Sequence, residues 1–183
     1  MLAGIVAVAC FHAFWRLSRP DWKIDESLDG ALGIEALRHG RWGIEIGHPV
    51  FVRWFLGASQ LAFGEDRFGV RFAPALASVL VVLLLYIVGR ELVSERVGLL
   101  AAAMWAVLPR ALVLGHETVG PLRGDRFGYL EPFMVVFLLA ATLAGWRWIR
   151  SGSWRTALAT GLLVGLATAF KPTALVVLAP VLA

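Results

Sequence analysis

The chain holds a single cysteine, Cys10, in 183 residues. That excludes an intramolecular disulfide framework, a cysteine-cluster zinc site and an iron–sulfur site. Charge is also scarce. Asp, Glu, Lys and Arg make up 16% of the residues, where a soluble domain carries roughly a quarter. None of the four histidines has a partner at metal-ligand spacing, so a divalent metal is compatible with the composition but not indicated by it, and no cofactor is implied. No internal repeat and no low-complexity segment is present. The first apolar run, Leu2–Trp15, has neither a basic region before it nor a small-residue cleavage site after it, and does not read as a signal peptide.

What the chain has in excess is apolar surface. The hydrophobic fraction is 59% and the mean hydropathy is +0.76, against about 45–50% apolar residues in an ordinary soluble domain. A soluble fold this apolar would lack the polar surface to cover itself, so lipid is the expected solvent. Six apolar segments stand out: Leu2–Leu17, Phe72–Leu92, Val97–Leu114, Pro132–Trp148, Trp154–Phe170, and Pro172 onward. A span needs about 20 residues to cross about 30 Å of hydrocarbon. Several segments are shorter if cut at the first charge, but terminal Arg and Lys snorkel and terminal Trp sits at the headgroups. Trp15, Trp146, Trp148 and Trp154 occupy such ends. The expected fold is all-α, a polytopic transmembrane helical bundle. The sequence stops inside the sixth apolar run, so residues 1–183 are expected to be the N-terminal part of a longer transmembrane domain, with the true start left open.

The longest stretch outside the spans is Ser18–Arg71. Asp25-Glu26-Ser27 precedes Leu28, Leu32 and Leu37, which predicts a short capped helix. Gly40, Gly43 and Gly47 then break the chain. After His48-Pro49, the residues Val50, Phe51, Trp54, Phe55, Ala58, Leu61 and Ala62 recur at helical spacing, with Arg53, Ser59 and Gln60 off that face. An amphipathic helix of this kind suits a membrane interface, or equally a packing surface on neighbouring protein.

Charge sets an orientation. Arg16 to Arg71 carries eight basic and eight acidic residues. Arg90, Glu91, Glu95 and Arg96 cancel, and Arg110–Glu131 holds three of each sign. The net charge of +4 therefore rests on Arg147, Arg150, Arg155 and Lys171. The three arginines share one short, acid-free loop, which the positive-inside rule places in the cytoplasm. Counting spans, the N-terminus is cytoplasmic and the loops 18–71 and 115–131 are extracytoplasmic. Arg16, Arg19 and Lys23, directly after the first span, pull the other way, but their loop is long and fully compensated.

On that reading the outer face gathers Asp25-Glu26, Arg126 with Glu131, Lys171, and His48 from mid-loop. Ionisable groups at a membrane boundary are costly to desolvate and are functional candidates. A carboxylate there can take the proton of an attacking alcohol, and basic groups can hold a phosphate as it leaves. Blander roles exist for each: Asp25 as a helix N-cap, Arg126 and Glu131 as an interfacial ion pair, Lys171 as a snorkelling anchor.

The order of motifs is informative. D-E-S-L-D-G-A-L, L-R-H-G-R-W, G-H-P-V and F-G-E-D-R-F-G-V-R-F-A-P-A-L together resemble the first extracytoplasmic loop of the protein O-mannosyltransferase-like glycosyltransferases. That group includes the bacterial aminoarabinose transferases that modify lipid A, and belongs to the GT-C class. L-Y-I-V-G-R-E-L and G-L-L-A-A-A-M-W-A-V-L-P resemble the family's second and third spans, R-F-G-Y-L-E-P-F the opening of its fourth, and A-T-A-F-K-P its lysine after the fifth. The resemblance covers nearly the whole chain. It implies a polyprenyl-phosphate sugar donor, a protein or glycolipid acceptor, and an inverting transfer on the outer face of the cell membrane. It implies that Asp25 activates the acceptor hydroxyl with Glu26 as its partner in the acidic pair, both catalytic. His48, Arg126, Glu131 and Lys171 are implied to bind substrate, Lys171 at the lipid phosphate. Glu131 stands where the family mostly has Asp, and Val50 replaces the second proline of H-P-P.

The leading expectation is a membrane glycosyltransferase, of which these residues alone are expected to be inactive. The alternative is a transporter or a non-catalytic membrane subunit, but charges at span ends and the absence of inverted repeats favour the enzyme. A nucleic-acid partner is not expected.

Overall fold

A computed structural model describes residues 1–19, 21–41, 49–107 and 129–178. Among these the chain is all-helical, with seven α-helices and no strand. They are α1 (Leu2–Phe14), α2 (Ile24–His39), α3 (Val50–Phe63), α4 (Arg67–Leu92), α5 (Glu95–Val107), α6 (Glu131–Ser151) and α7 (Trp154–Phe170), followed by a 3-10 helix over Pro172–Leu178. Two of them, α4 and α6, are long and apolar enough to cross a membrane, with mean hydropathies of 2.5 and 1.6 over their best windows. The α1, α3 and α7 helices are apolar but shorter.

Three apolar clusters hold the bundle. Ala9 of α1 packs with Val82 of α4 and with Ala102 and Ala106 of α5. Ala13 and Leu17 pack on Ala75 and Val79 of α4. Val52 and Leu56 of α3 meet Val70 and Ala77 of α4, Phe133 of α6 and Phe170 of α7. The last cluster is largely aromatic: the Phe170 ring lies 5.0 Å from Phe51, 5.2 Å from Phe55 and 5.1 Å from Phe133. Such ring pairs add about 0.5–1.5 kcal/mol each beyond area burial.

These contacts put the end of α1, the start of α4, the start of α6 and the end of α7 at one end of the bundle. The α2 and α3 helices lie across that end. At the opposite end the α4–α5 turn meets the end of α6, where Arg147 Nε donates to Glu91 Oε2 at 3.1 Å. Arg147 is thus charge-compensated by Glu91 in the last turn of α4. Arg150 and Arg155 instead lie over the rings of Trp146 and Trp154, at 5.9 and 5.8 Å from their centroids.

The α4 helix begins five residues before the apolar run that announces it. Asp66 caps it, its Oδ1 accepting from the backbone N–H of Phe68 at 2.9 Å and of Gly69 at 3.0 Å. Arg71 therefore belongs to the helix rather than to the preceding loop.

The α2 helix turns its polar and small residues inward, and α3 buries polar residues beside the apolar Val52 and Leu56. In α3 the polar residues Arg53, Ser59 and Gln60 are buried, while Val50, Trp54, Phe55, Leu61 and Phe63 are exposed. In α2 the buried positions are Glu26, Asp29, Gly30, Gly33 and Ala36, and Ile24, Leu28 and Leu37 face outward. The apolar stripe of α3 is divided: Phe51 and Phe55 reach the Phe170 ring, while Trp54 and Leu61 stay exposed. The inward stripes are joined by polar contacts. Arg53 Nε donates to Asp29 Oδ1 at 3.2 Å, and Gln60 Nε2 donates to the Gly30 carbonyl at 2.8 Å. The crossing point has no room for side chains. A Cβ on Gly33 would lie 2.3 Å from the Arg53 carbonyl oxygen, and one on Gly57 2.5 Å from that of Gly33.

Because Arg53 and Asp29 are 4% and 1% exposed, removing one partner leaves a lone buried charge. Asp29→Ala is expected to destabilise the protein by about 3–5 kcal/mol, whereas Asp29→Leu combined with Arg53→Met is expected to cost far less. Denaturation of the purified protein in detergent, followed by helix content, measures both.

Candidate functional site

Asp25 and Glu26 occupy the first turn of α2, yet they differ completely in surroundings. Lys23 is the N-cap, so Asp25 is a first-turn residue and not the cap. The capping contact is made by Glu26, whose Oε1 accepts the Lys23 backbone N–H at 2.9 Å. Asp25 is exposed. Glu26 is fully buried against Arg71 of α4, also fully buried.

Arg71 is the centre of this region. Its Nε donates to Glu26 Oε2 at 2.9 Å and its Nη2 donates to Glu26 Oε1, a two-pronged contact. Nη1 donates to the Leu17 carbonyl at 2.9 Å, and Nη2 also to the Asp21 carbonyl at 2.8 Å. One guanidinium thus joins the connector that leaves α1 and the start of α2 to α4. The Trp22 ring lies over it, 5.9 Å from the guanidinium carbon. Nearby, Ser18, Trp22, Glu65, Asp66 and Arg67 line an open groove. Its acids are already engaged, Glu65 with Arg38 and Asp66 as the α4 cap.

Glu131 and Lys171, 40 residues apart in sequence, form a second centre. Glu131 opens α6, Lys171 follows α7, and the lysine Nζ donates to Glu131 Oε1. Both side chains are partly exposed, at 48% and 36%. The stacked Phe133 and Phe170 rings, one helical step below, hold the two helix ends side by side. His48 and Arg126 lie outside the described residues. Among the described residues, no group of three or more His, Cys, Asp or Glu could hold a metal ion.

Sequence reasoning selected Asp25, Glu26, Glu131 and Lys171, and the structure joins the last two directly; the Arg126 partner suggested for Glu131 lies outside the described residues. Reasoning from sequence passed over Arg71, Asp29 and Arg53. A signal was available: positions 26, 29, 30, 33 and 36 form a stripe of small and polar residues down one side of α2. In a helix facing lipid that stripe is the inward face.

An all-helical bundle with lipid-suited faces and ionisable groups gathered at one end is the class of protein defined here. Within that class, residues 47–183 match the family described as dolichyl-phosphate-mannose-protein mannosyltransferase, and the chain belongs to this family. Individual relatives carry a different sugar in their names. The chain is 32% identical over 120 residues to an undecaprenyl phosphate-alpha-4-amino-4-deoxy-L-arabinose arabinosyl transferase of Pseudomonas aeruginosa, covering 65% of this chain and 20% of that protein. It is 28% identical over 176 residues to such a transferase of Sodalis glossinidius, covering 89% of this chain and 30% of the relative. It is 27% identical over 158 residues to one of Yersinia pestis, covering 82% and 27%. The chain thus spans between a fifth and a third of the length of these relatives. No solved structure matches.

Both side chains of the Glu131–Lys171 pair are partly exposed, and exposed pairs contribute about 0–1 kcal/mol. Lys171→Gln is therefore expected to leave the melting temperature within a few degrees of wild type. A thermal-shift measurement in detergent checks this, and it separates any loss of activity at Lys171 from loss of folding.

Proposed function

We propose that the protein is a membrane glycosyltransferase that moves a sugar from a polyprenyl-phosphate donor to a hydroxyl or other acceptor on the extracytoplasmic face. The observation that carries this reading is the combination of family membership with the layout of the bundle. The bundle bears an exposed carboxylate, Asp25, in the first turn of α2 and a partly exposed lysine, Lys171, directly after α7.

In the proposed reaction Asp25 takes the proton of the acceptor hydroxyl. The freed oxygen attacks the anomeric carbon of the donor from the face opposite the phosphate. The bond between that carbon and the phosphate oxygen breaks, the configuration inverts, and the lipid phosphate departs with its negative charge. Lys171 offers a positive charge to that phosphate, with Glu131 holding the lysine when no phosphate is present. Arg126 and His48 are proposed to complete substrate binding. Glu26 enters this scheme through its position beside Asp25, both of its oxygens being held by donors of the protein. The acceptor is a protein or a glycolipid. The sugar is a hexose if the family description applies directly and an aminopentose if the names of the relatives do.

Membranes carrying the intact protein, supplied with radiolabelled polyprenyl-phosphate mannose or aminoarabinose, test the reading. Transfer of one label to an acceptor is expected, and Asp25→Asn is expected to lower turnover by about 10²–10⁴-fold, the range for loss of a general base. Wild-type turnover in Asp25→Asn would overturn the base assignment. If neither donor is consumed, the enzyme reading gives way to a transporter or a non-catalytic subunit.

The proposed topology places the N-terminus and the α6–α7 turn in the cytoplasm of a cell-membrane protein, and α2 outside. With Cys10→Ser as background, Ser27→Cys is expected to react with a membrane-impermeant maleimide in intact cells, and Ser151→Cys only after permeabilisation. Labelling of both from the same side would refute the arrangement.

A further inference from the structure

The geometry points to Arg71 as a positioning residue for the transfer: through its two-pronged bond to Glu26 it fixes the first turn of α2 and so aims the Asp25 carboxylate. This rests on the reading of Asp25 as the base. Arg71 cannot touch a substrate directly, since it is fully buried. Its Nε, Nη1 and Nη2 are directed to Glu26, to the Leu17 carbonyl and to the Asp21 carbonyl. Those three partners bracket the turn that leads into Asp25. Glu26, one residue on, is held from two sides, by Arg71 and by the Lys23 backbone N–H.

A helix start on a polar connector frays readily, because its first N–H groups lack intrahelical partners. Here the fraying is blocked at one side chain, and the blocked residue adjoins the exposed acid. A base must sit within hydrogen-bond reach of its proton in the reactive geometry, and a displacement of about 1 Å costs on the order of 100-fold in rate. Other roles for Arg71 fit less well. A snorkelling anchor would reach water, and a phosphate ligand would present a free donor edge. Arg67, one turn earlier, is the more exposed of the two, with Nη1 3.4 Å from the Arg19 carbonyl oxygen and 3.5 Å from Asp21 Oδ1.

The test uses the intact protein in membranes and the donor that supports transfer. Glu26→Gln combined with Arg71→Met removes both charges together, so no lone charge is left in the interior. The expected result is a fall in kcat of about 10- to 100-fold with the donor KM within about twofold of wild type, the pattern of a lost transition-state alignment. In an Asp25→Asn background the same double exchange is expected to cause no further loss, because it acts through Asp25. Unchanged kcat in the double exchange overturns the inference while leaving Asp25 as base. Losses that multiply across the two backgrounds also overturn it, since the pair would then act elsewhere. Wild-type turnover in Asp25→Asn alone removes the base and this inference together. Should the double exchange fail to accumulate, Arg71→Lys carries the test. It keeps the charge but loses the second prong. It is expected to show the same kcat loss at unchanged KM, and wild-type kcat would refute the proposal.

Discussion

An arginine sealed away from water must place its N–H groups on protein acceptors, and the fold of this chain is organised around that demand. Arg71 sits one turn into α4 with no exposed surface. Its acceptors are a carboxylate on α2 and two carbonyls from the stretch that leaves α1. Leaving any of these unmade would cost the desolvation of a charged donor, far more than an ordinary hydrogen bond gains. The chain from Leu17 to Glu26 therefore has little freedom in how it turns. The same logic recurs one helix over, where Arg53 of α3 is buried against Asp29 of α2. Two arginines from different helices thus grip α2 at positions three residues apart, on one face.

This arrangement reverses the pattern of a soluble domain. The polar and small residues of α2 and α3 pack inward, in α3 alongside Val52 and Leu56, and Leu28, Trp54 and Leu61 face out. In water such faces would be a liability. Beside lipid they cost nothing, because acyl chains are as apolar as leucine and give helices no hydrophobic reason to associate. Association must then come from close backbone approach and interhelical polar bonds. Both are present, in the Gly33–Gly57 crossing and in the bonds from Arg53 and Gln60.

That reversal explains what could be read from the sequence. The bounds of α7 coincide with its apolar run, and those of α6 differ by one residue at the start and three at the end, since both helices follow composition. The α4 helix starts earlier than hydropathy indicates because an Asp66 cap and a buried charge extend it into polar sequence. The α3 helix was legible from its spacing, but not its orientation: spacing identifies two faces, and only knowledge of the surrounding solvent says which is the inside. Arg71 and Asp29 were passed over for the same reason. A charge in a polar loop looks solvated until its partner 45 residues away in sequence is placed beside it. Asp25 and Glu26 were noticed as a pair, but adjacent helical residues point in different directions, so one is exposed and the other sealed. Lys171 and Glu131 are joined by the antiparallel pairing of α6 and α7, which no local pattern encodes.

The two carboxylate–cation pairs at this end of the bundle therefore stand in opposite physical regimes. Glu26–Arg71 is dry, two-pronged and supported by a cap and two carbonyls, so exchanging either member for water or ligand would strand the other in the interior. Glu131–Lys171 is a partly exposed contact through a flexible, compact ammonium, and an incoming anion can take the lysine without leaving a charge buried. A site that must admit and release a charged group needs the second kind of pair where the group binds and the first kind where its geometry is set. Asp25 lies next to the rigid pair, while the labile pair sits where the start of α6 meets the end of α7, the place proposed above for the donor phosphate. The division of labour follows from burial alone: the same residue chemistry makes a fixed frame where water is excluded and an exchangeable contact where it is not.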